Sequence, residues 1–439
     1  INRRTIRNTN KLDIITRNDY ISIIYKLLMA QTLKFGNKVW AAKEESVLAY
    51  NDINNNYKPL PFSFSRASIG TRVNKDGLIE TMGQDIARID YTDSADGVLL
   101  LEPTSTNLIP YSEDFSNAAW IKSNATVLAD QVISPDGTLN ADELQVTSSG
   151  GNIYDNVGGS GDGVFSVFAK YKDVQYIRLR STGSYAFFDI KNGIVGSTIN
   201  VVDSKIEKYP NGWYRCSVIG NNTNSLAQIF VSSDGVNVGT GNFYLWGAQF
   251  EALSYSTSYI PTSGSTVTRA VETCNNSGNS EVFNDSQGVL FANIAALADD
   301  GTFRNISIND DTTAQAIRVY YRNIDYKLTV LIGSSSGGSV TFDVPKSTQF
   351  LKIAIKYIVN NVEVYINGFL VGTISSVAMP TGLNQLDFDI DNQLPFYGKT
   401  KELGYYDAAL TDLELETLTS YRNWVSMVNE LNLNIIYNG

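Results

Sequence analysis

Short runs in which apolar and polar residues alternate dominate the pattern of this chain. In one of them the apolar positions fall on every second residue, at Phe165, Val167, Ala169 and Tyr171, as in a strand with one buried face. Such runs are separated by Gly, Asn and Asp, which turns prefer. Short strands at this spacing predict β-sandwiches rather than an open α/β sheet.

Turn signals between alternating runs predict three hairpins. Asn and Gly tolerate positive φ, so they suit the tight turns that join antiparallel strands. The three turns are predicted at Pro210-Asn211-Gly212, Asn360-Asn361 and Asn367-Gly368. The last two lie within about 20 residues and give the clearest local prediction in the sequence.

Helical spacing appears only near the two ends of the chain. A short amphipathic helix is predicted after Asn18 and Asp19, with apolar residues at Ile21, Ile24, Leu27 and Leu28. It either packs on its own domain or docks on a partner surface. A second helix is predicted after Thr411 as N-cap, with one apolar face formed by Leu413, Leu415, Leu418 and Tyr421.

Changes in composition divide the chain into consecutive units. The first residues are basic although the chain carries a net charge of -11, residues 51–57 are rich in turn formers, and residues 274–285 are small and polar. The predicted units are an attachment and oligomerisation segment at 1–50, a connecting module at 51–104, a strand-rich block at 105–272, a linker at 273–285, a second strand-rich block at 286–424 and a tail at 425–439.

Composition argues against several classes of function. The chain contains no histidine, which removes the usual general base and the commonest metal ligand, and its two cysteines are too few for a Cys₄ zinc site. Its negative charge argues against nucleic acid as the main partner. The longest apolar stretch has about ten residues, whereas a transmembrane helix needs roughly 20, so no membrane insertion is expected.

Two stretches resemble modules of tailed-phage structural proteins. Lys34 to Glu102, which contains F-S-F-S-R-A-S-I-G-T-R-V-N-K-D-G-L-I-E and runs into L-L-L-E-P-T-S-T-N-L-I, resembles a module found in many of these proteins. The stretches Tyr111 to Trp120, Asn211 to Arg215 and Tyr244 to Glu251 look like the carbohydrate-binding jelly roll that the same proteins carry. The block at 286–424 is similar to laminin-G or concanavalin-like sandwiches through V-E-V-Y-I-N-G-F-L-V-G-T.

The resemblance implies an all-β phage fibre or head-fibre protein with two β-sandwiches, a jelly roll followed by a laminin-G/concanavalin-like domain. It further implies a homotrimer on the virion surface that recognises host-surface glycans, with the N-terminal segment bound to other virion proteins. The alternatives are a purely structural virion protein without a ligand, a polysaccharide hydrolase and a cellular adhesin. No nucleophile or phosphate-loop motif favours an enzyme.

Aromatic faces that stack on sugars are the candidate ligand contacts. Tyr154, Tyr176 and Tyr185 have Gly-rich or charged neighbours and are the candidates for exposure; the alternative is a solvated sheet face. The tryptophans are expected in the core instead, at Trp120, Trp213 and Trp246.

Calcium is the candidate cofactor, because related jelly rolls often hold a structural calcium. The run Leu386 to Asp391 places three carboxylates on one strand face, which predicts either a solvated face or oxygen ligands at Asp387 and Asp389. Asp136, in a turn of the first block, is a further candidate ligand.

Overall fold

A computed structural model describes residues 31–53, 56–158, 161–181, 183–222, 226–333, 337–344 and 346–431 of the chain. The expected all-β class is confirmed: strands follow one another through these ranges, and two short α-helices come after them. The predicted helix near residues 18–28 lies outside the described residues. No helix within the described ranges has the length and apolar character needed to cross a bilayer.

The strands fall into three stretches of the chain. The first comprises β1 Leu33–Gly36, β2 Ala42–Lys43, β3 Ser46–Val47, β4 Tyr50–Ile53, β5 Asn56–Pro59, β6 Phe62–Ser65, β7 Gly70–Val73, β8 Ile79–Met82, β9 Arg88–Asp90, β10 Val98–Leu101 and β11 Ser105–Asn107. The second comprises β12 Ile121–Ser123, β13 Ala125–Ile133, β14 Leu139–Val146, β15 Asn152–Asn156, β16 Gly161–Tyr171, β17 Tyr176–Ser181, β18 Ser184–Asp189, β19 Ile194–Ile199, β20 Asp203–Lys208, β21 Trp213–Asn222, β22 Leu226–Ser232, β23 Gly241–Glu251 and β24 Val267–Arg269.

The third stretch comprises β25 Thr273–Asn275, β26 Gln287–Ala296, β27 Arg304–Asn309, β28 Ala316–Tyr321, β29 Leu328–Ile332, β30 Ser339–Phe342, β31 Leu351–Ile358, β32 Asn361–Ile366, β33 Phe369–Ser375, β34 Gln385–Asp387 and β35 Gly398–Tyr406. The two α-helices are α1 Asp412–Thr419 and α2 Trp424–Glu430, and a 3₁₀ turn covers Pro210–Gly212.

The first sandwich consists of two six-stranded antiparallel sheets. Sheet I has the order β12-β15-β22-β17-β18-β19, and sheet II has the order β13-β14-β23-β16-β21-β20. Their facing side chains form one core, in which Ile177 and Ile229 of sheet I meet Phe165 and Val218 of sheet II. The core placement predicted for the tryptophans is confirmed, since Trp120, Trp213 and Trp246 are at most 1% exposed.

The second sandwich combines a ten-stranded sheet with a five-stranded one. Sheet III has the path β33-β32-β31-β26-β35-β1-β4-β5, with β10 also paired to β35 and β9 paired to β10, and sheet IV has the order β30-β29-β28-β27-β34. Their core joins Ile353 and Leu403 of sheet III to Ile317 and Val330 of sheet IV.

Strand pairings run across the boundaries of the predicted units. Residues 33–36 and 99–101 pair with opposite halves of β35, and β25, inside the predicted linker, pairs with β6. Phe35, Phe62 and Phe64 are at most 2% exposed and belong to the core of the second sandwich. The early segment therefore completes the later sandwich, because these rings would otherwise expose a large apolar area.

A buried ionic network lies where the chain passes from the first sandwich to the second. Glu272 accepts from Arg66 Nη1 at 2.7 Å and from Arg88 Nη2 at 2.5 Å, while Glu102 pairs with Arg88 at 2.8 Å and with Arg269 at 3.0 Å. These side chains are at most 3% exposed. The network links β9 and the residues that directly follow β6 and β10 to the end of β24 and the segment after it, so it stabilises the passage of the chain between the two sandwiches.

The predicted hairpins are confirmed. The strand pairs β20–β21, β31–β32 and β32–β33 flank the three turns, and Asn211, Asn360 and Asn367 adopt φ of 59°, 67° and 50°. A side chain other than Asn, Asp or Gly would be strained there.

The helix start at Thr411 is confirmed by a capping box with Glu414. The predicted apolar face of this helix is partly wrong. Leu415 and Leu418 pack against sheet III, but Leu413 is 39% exposed and α1 ends at Thr419, before Tyr421.

Candidate carbohydrate-binding face

The three candidate tyrosines lie on one face of sheet I, the face that points away from the core. Tyr154 is opposite Gln228, Gln228 is opposite Arg180, and Arg180 is opposite Tyr185. Residues directly opposite each other in antiparallel strands share a face. Tyr176 precedes Arg180 by four residues on β17 and therefore shares the same face.

Alternation along each strand produces this arrangement. In β17, Ile177 and Leu179 point into the core and are fully buried, which turns Tyr176, Arg178 and Arg180 outward. The three tyrosines are half-buried, so part of each ring remains accessible. Tyr154 and Tyr185 are separated by three strand spacings, about 14 Å, and the outer face thus offers a broad platform. We call it the sheet I face.

A second row on the sheet I face is centred on Arg178. Asn152 is opposite Phe230, Phe230 is opposite Arg178, and Arg178 is opposite Phe187. The Arg178 guanidinium lies 3.8 Å from the ring centroid of Phe230 and 5.0 Å from that of Tyr185. Such cation–π contacts fix the guanidinium plane.

Amide side chains add hydrogen-bonding groups between the aromatic rings. Gln228 Nε2 donates to Asn152 Oδ1 at 2.8 Å, and Arg180 Nη1 donates to Gln228 Oε1 at 3.3 Å. Gln228 and Asn152 are each 8% exposed, so the accessible part of this face is formed mainly by the half-buried tyrosines and arginines. Aromatic rings that can cover apolar sugar surface, next to guanidinium donors for hydroxyls, are a composition that suits sugar recognition.

Several members of this face were missed at the sequence level. Phe187 and Phe230 lie in apolar runs, Phe187-Phe188 and Ile229-Phe230-Val231, where alternation gives no direction. The Arg178-Leu179-Arg180 triplet carried the available signal, because two charged residues around a leucine on a strand must point away from the core. Carbohydrate binding by Tyr154, Tyr176 and Tyr185 stays a prediction.

The calcium candidates are hydrogen-bonded carboxylates in two different sandwiches. Asp387 accepts from Asn276 N, Asn309 Nδ2 and Gln385 Nε2, and Asp389 accepts from Asn275 Nδ2. Asp136 accepts from Ser134 and Thr138 within its own turn. These oxygens already have amide and hydroxyl donors, so the arrangement does not fit a preformed calcium site. Calcium binding there stays a prediction.

The solvated-face interpretation of the Leu386 to Asp391 run is wrong for two of its carboxylates. Asp387 is 2% exposed and Asp389 is 6% exposed. Burial raises the pKa of Asp389 to about 6, with the hydrogen bond from Asn275 opposing the rise and the charge of Asp387 adding to it. Within the part of the chain that the structure describes, no group of three or more Cys, Asp or Glu residues is placed to hold a metal.

A cleft of about 680 Å³ lies between the early segment, sheet II and β35, and is the place where a hydrolase would be sought. Its lining includes Asp93, Glu102 and Glu207. Burial opposes ionisation of Glu102, but Arg269 and Arg88 outweigh it and lower its pKa to about 2. The pKa values of Asp93 and Glu207 are also lowered, because lysines offset the effect of burial. A glycosidase acid needs a raised pKa, so these three carboxylates do not suit that role.

The chain matches no family model and no curated protein. Among solved structures it is similar to the Ruminococcus gnavus IT-sialidase CBM40 bound to alpha2,3 sialyllactose, at 16% identity over 33% of this chain and 92% of that one, with a TM-score of 0.28. It is also similar to domain 4 of a GH43 extracellular arabinanase from Geobacillus stearothermophilus in complex with arabinotriose, at 16% identity over 38% and 82%, with a TM-score of 0.29.

A third similarity extends over more of the chain. Trypanosoma rangeli sialidase shares 10% identity over 85% of this chain and 81% of that one, with a TM-score of 0.27. TM-scores of this size support no inference about the ligand or the activity of this chain.

Proposed function

We propose that this protein is a non-enzymatic component of a phage virion, a fibre or decoration protein on the particle surface that attaches to host-surface glycans. The observation that carries glycan binding is the sheet I face, where Tyr154, Tyr176 and Tyr185 lie together with amide and guanidinium groups. The virion location, the docking of residues 1–50 on other virion proteins and the homotrimer rest on the sequence resemblance.

Weak single sites are expected from such an open platform. Each tyrosine that covers about 40 Å² of apolar sugar surface contributes about 1 kcal/mol. Three chains, each with one platform, convert weak contacts into firm attachment when their spacing matches the target. A trimer is therefore part of the mechanism, and native mass measurement of the intact chain tests it. A monomer at micromolar concentration would contradict the trimer.

The lowered pKa values of Asp93, Glu102 and Glu207 argue against these three cleft carboxylates as a glycosidase acid, which supports the non-enzymatic part of the proposal. A hydrolase would release reducing ends from the polysaccharide that it binds. Retention without release is the expected result.

The experiment measures retention of purified protein on immobilised host envelope polysaccharide, with a parallel assay for released reducing ends. A variant that combines Tyr154→Ala, Tyr176→Ala and Tyr185→Ala is expected to lose affinity by about fivefold per tyrosine removed at each single site, and by more in the multivalent format. Tyr320→Ala is the matched control, because Tyr320 is a half-buried tyrosine on a strand of sheet IV. Equal binding by the triple variant, or released sugar, would overturn the proposal.

A further inference from the structure

Arg178 has a surrounding that sets it apart on the sheet I face. Three aromatic rings lie within 6 Å of its guanidinium carbon, those of Phe230, Tyr185 and Phe187. Its Nε is buried and lacks a hydrogen-bond partner. The guanidinium is thus held by ring contacts rather than by hydrogen bonds to the described part of the chain.

Most buried arginines of the described ranges have a carboxylate partner, which Arg178 does not. Arg66, Arg88 and Arg269 each pair with a carboxylate, and Arg304 pairs with Asp300. Arg318, on β28, resembles Arg178 in having a buried Nε without a partner, but no aromatic ring of the described residues lies over its guanidinium. Arg215 also has a buried Nε without a partner and one ring contact, to Phe168 at 5.5 Å, but its Nη1 and Nη2 donate to Thr257 O and Ser166 Oγ. Contact with three aromatic rings beside an unpartnered Nε is therefore specific to Arg178 among the described arginines.

Asp189, a carboxylate on the neighbouring strand β18, forms no ion pair with Arg178. Asp189 lies opposite Tyr176, but its oxygens accept from Gln175, Lys191 N and Asn192. The side chains that act electrostatically on Arg178 are those of Tyr185 and Arg180, and no carboxylate is among them. Removing a cation from water without a counter-charge costs free energy, which a bound anion would recover.

We propose that Arg178 is the anion-recognition residue of the sheet I face and that the glycan it receives is acidic, with carboxylate or phosphate groups on its repeating units. This inference rests on the proposed function. A guanidinium presents a planar fork of N–H donors that matches both oxyanions, and charge-assisted hydrogen bonds of this kind are the strong ones. The surrounding rings fix the fork in advance, so less side-chain entropy is lost on binding.

The location of this cation also gives selectivity. The chain carries a net charge of -11, so an acidic polymer is repelled by most of its surface. A cation placed among the sugar-stacking residues would direct such a polymer to them.

The test measures binding of the intact protein to three immobilised polymers: alginate as the carboxylate probe, poly(glycerol phosphate) as the phosphate probe and dextran as the neutral probe. Arg178→Gln is expected to weaken binding to the preferred acidic polymer by roughly tenfold to a hundredfold and to leave dextran binding unchanged. Arg178→Lys keeps the charge but loses the fork and is expected to restore only part of the affinity.

Arg322→Gln is the charge-matched control, since Arg322 forms a half-exposed pair with Asp325 in the second sandwich. It is expected to bind like the unmodified protein. Binding of the acidic polymer should also weaken between low salt and about 0.5 M, where exposed charges are strongly screened. An unchanged thermal unfolding midpoint for Arg178→Gln excludes misfolding as the cause of lost binding.

The failures of the two proposals are distinguishable. Unchanged binding of both acidic polymers by Arg178→Gln, or tyrosine-dependent binding that is equal for dextran and acidic polymers, would overturn the role of Arg178 and leave glycan binding standing. Absence of tyrosine-dependent binding to every polymer and to host envelope polysaccharide would overturn glycan binding itself, and with it the acidic specificity.

Discussion

Replacing Glu272 by Gln tests whether the buried ionic network stabilises the fold at the point where the chain passes from the first sandwich to the second. The Glu272 carboxylate accepts four hydrogen bonds: from Arg66 Nη1, from Arg88 Nε and Nη2, and from Glu102 N. Glutamine has nearly the same shape, but it is neutral and turns an N–H₂ group toward donors. Two guanidinium groups with fully buried side chains would then lose their shared counter-charge.

Breaking a buried ion pair by removing one partner costs about 3–5 kcal/mol, because the remaining charge is left uncompensated. We expect Glu272→Gln to lower the free energy of unfolding by that amount in urea titrations followed by tryptophan fluorescence. The matched control is Glu281→Gln, which removes an exposed carboxylate nine residues later and should change stability by less than about 0.5 kcal/mol. A loss below about 1 kcal/mol for Glu272→Gln would refute the stabilising role of the network.

Two further predictions concern pH and proteolysis. Burial raises the pKa values of Asp142, Asp389 and Glu402 to about 6, 6 and 7. A carboxyl with a raised folded-state pKa takes up a proton on folding, so the thermal unfolding midpoint should rise as the pH is lowered from 8 to 5. Below about pH 4.5 the midpoint should fall again, because Glu102, whose pKa in the folded protein is about 2, is protonated first in the unfolded chain. A midpoint that does not change from pH 8 to pH 3 would contradict both statements. Residues 275–280 should resist limited proteolysis of the folded protein, since Asn275 and Ser277 are buried and hydrogen-bonded to Asp389 and Leu60; rapid cleavage there would contradict this.

Local patterns predicted the local structure of this chain well. The Asn and Gly turns placed the hairpins, and alternation assigned Phe165 and Val167 to the core. These features depend on residues that are neighbours in sequence, where the turn residue and the strand period act directly.

Long-range pairing was beyond the reach of such patterns. Leu33 lies opposite Tyr405, and Cys274 lies opposite Phe64, although hundreds of residues separate each pair. Nothing in a short strand specifies which distant strand it joins. The small, polar composition of residues 274–285 predicted a linker, yet Ser277 is fully buried because its neighbours cover it.

In the candidate site, too, the local features could be predicted from the sequence and the contacts between distant strands could not. Alternation and flanking residues identified the three tyrosines, and the structure places them on one face. The role of Arg178 could not be predicted, since it depends on Phe230 and Phe187 from two other strands. The burial of Asp387 and Asp389 could not be predicted either, because alternation shows which residues share a strand face but not whether other segments cover that face.

The most direct test of the central claim is a structure of the protein bound to an oligosaccharide from the polysaccharide that it retains. Glycan binding at the sheet I face predicts sugar rings over the row from Tyr154 to Tyr185, with an acidic group within hydrogen-bonding distance of Arg178. A sugar bound instead in the cleft beside Glu102 and Glu207, with the sheet I face empty, would contradict the account.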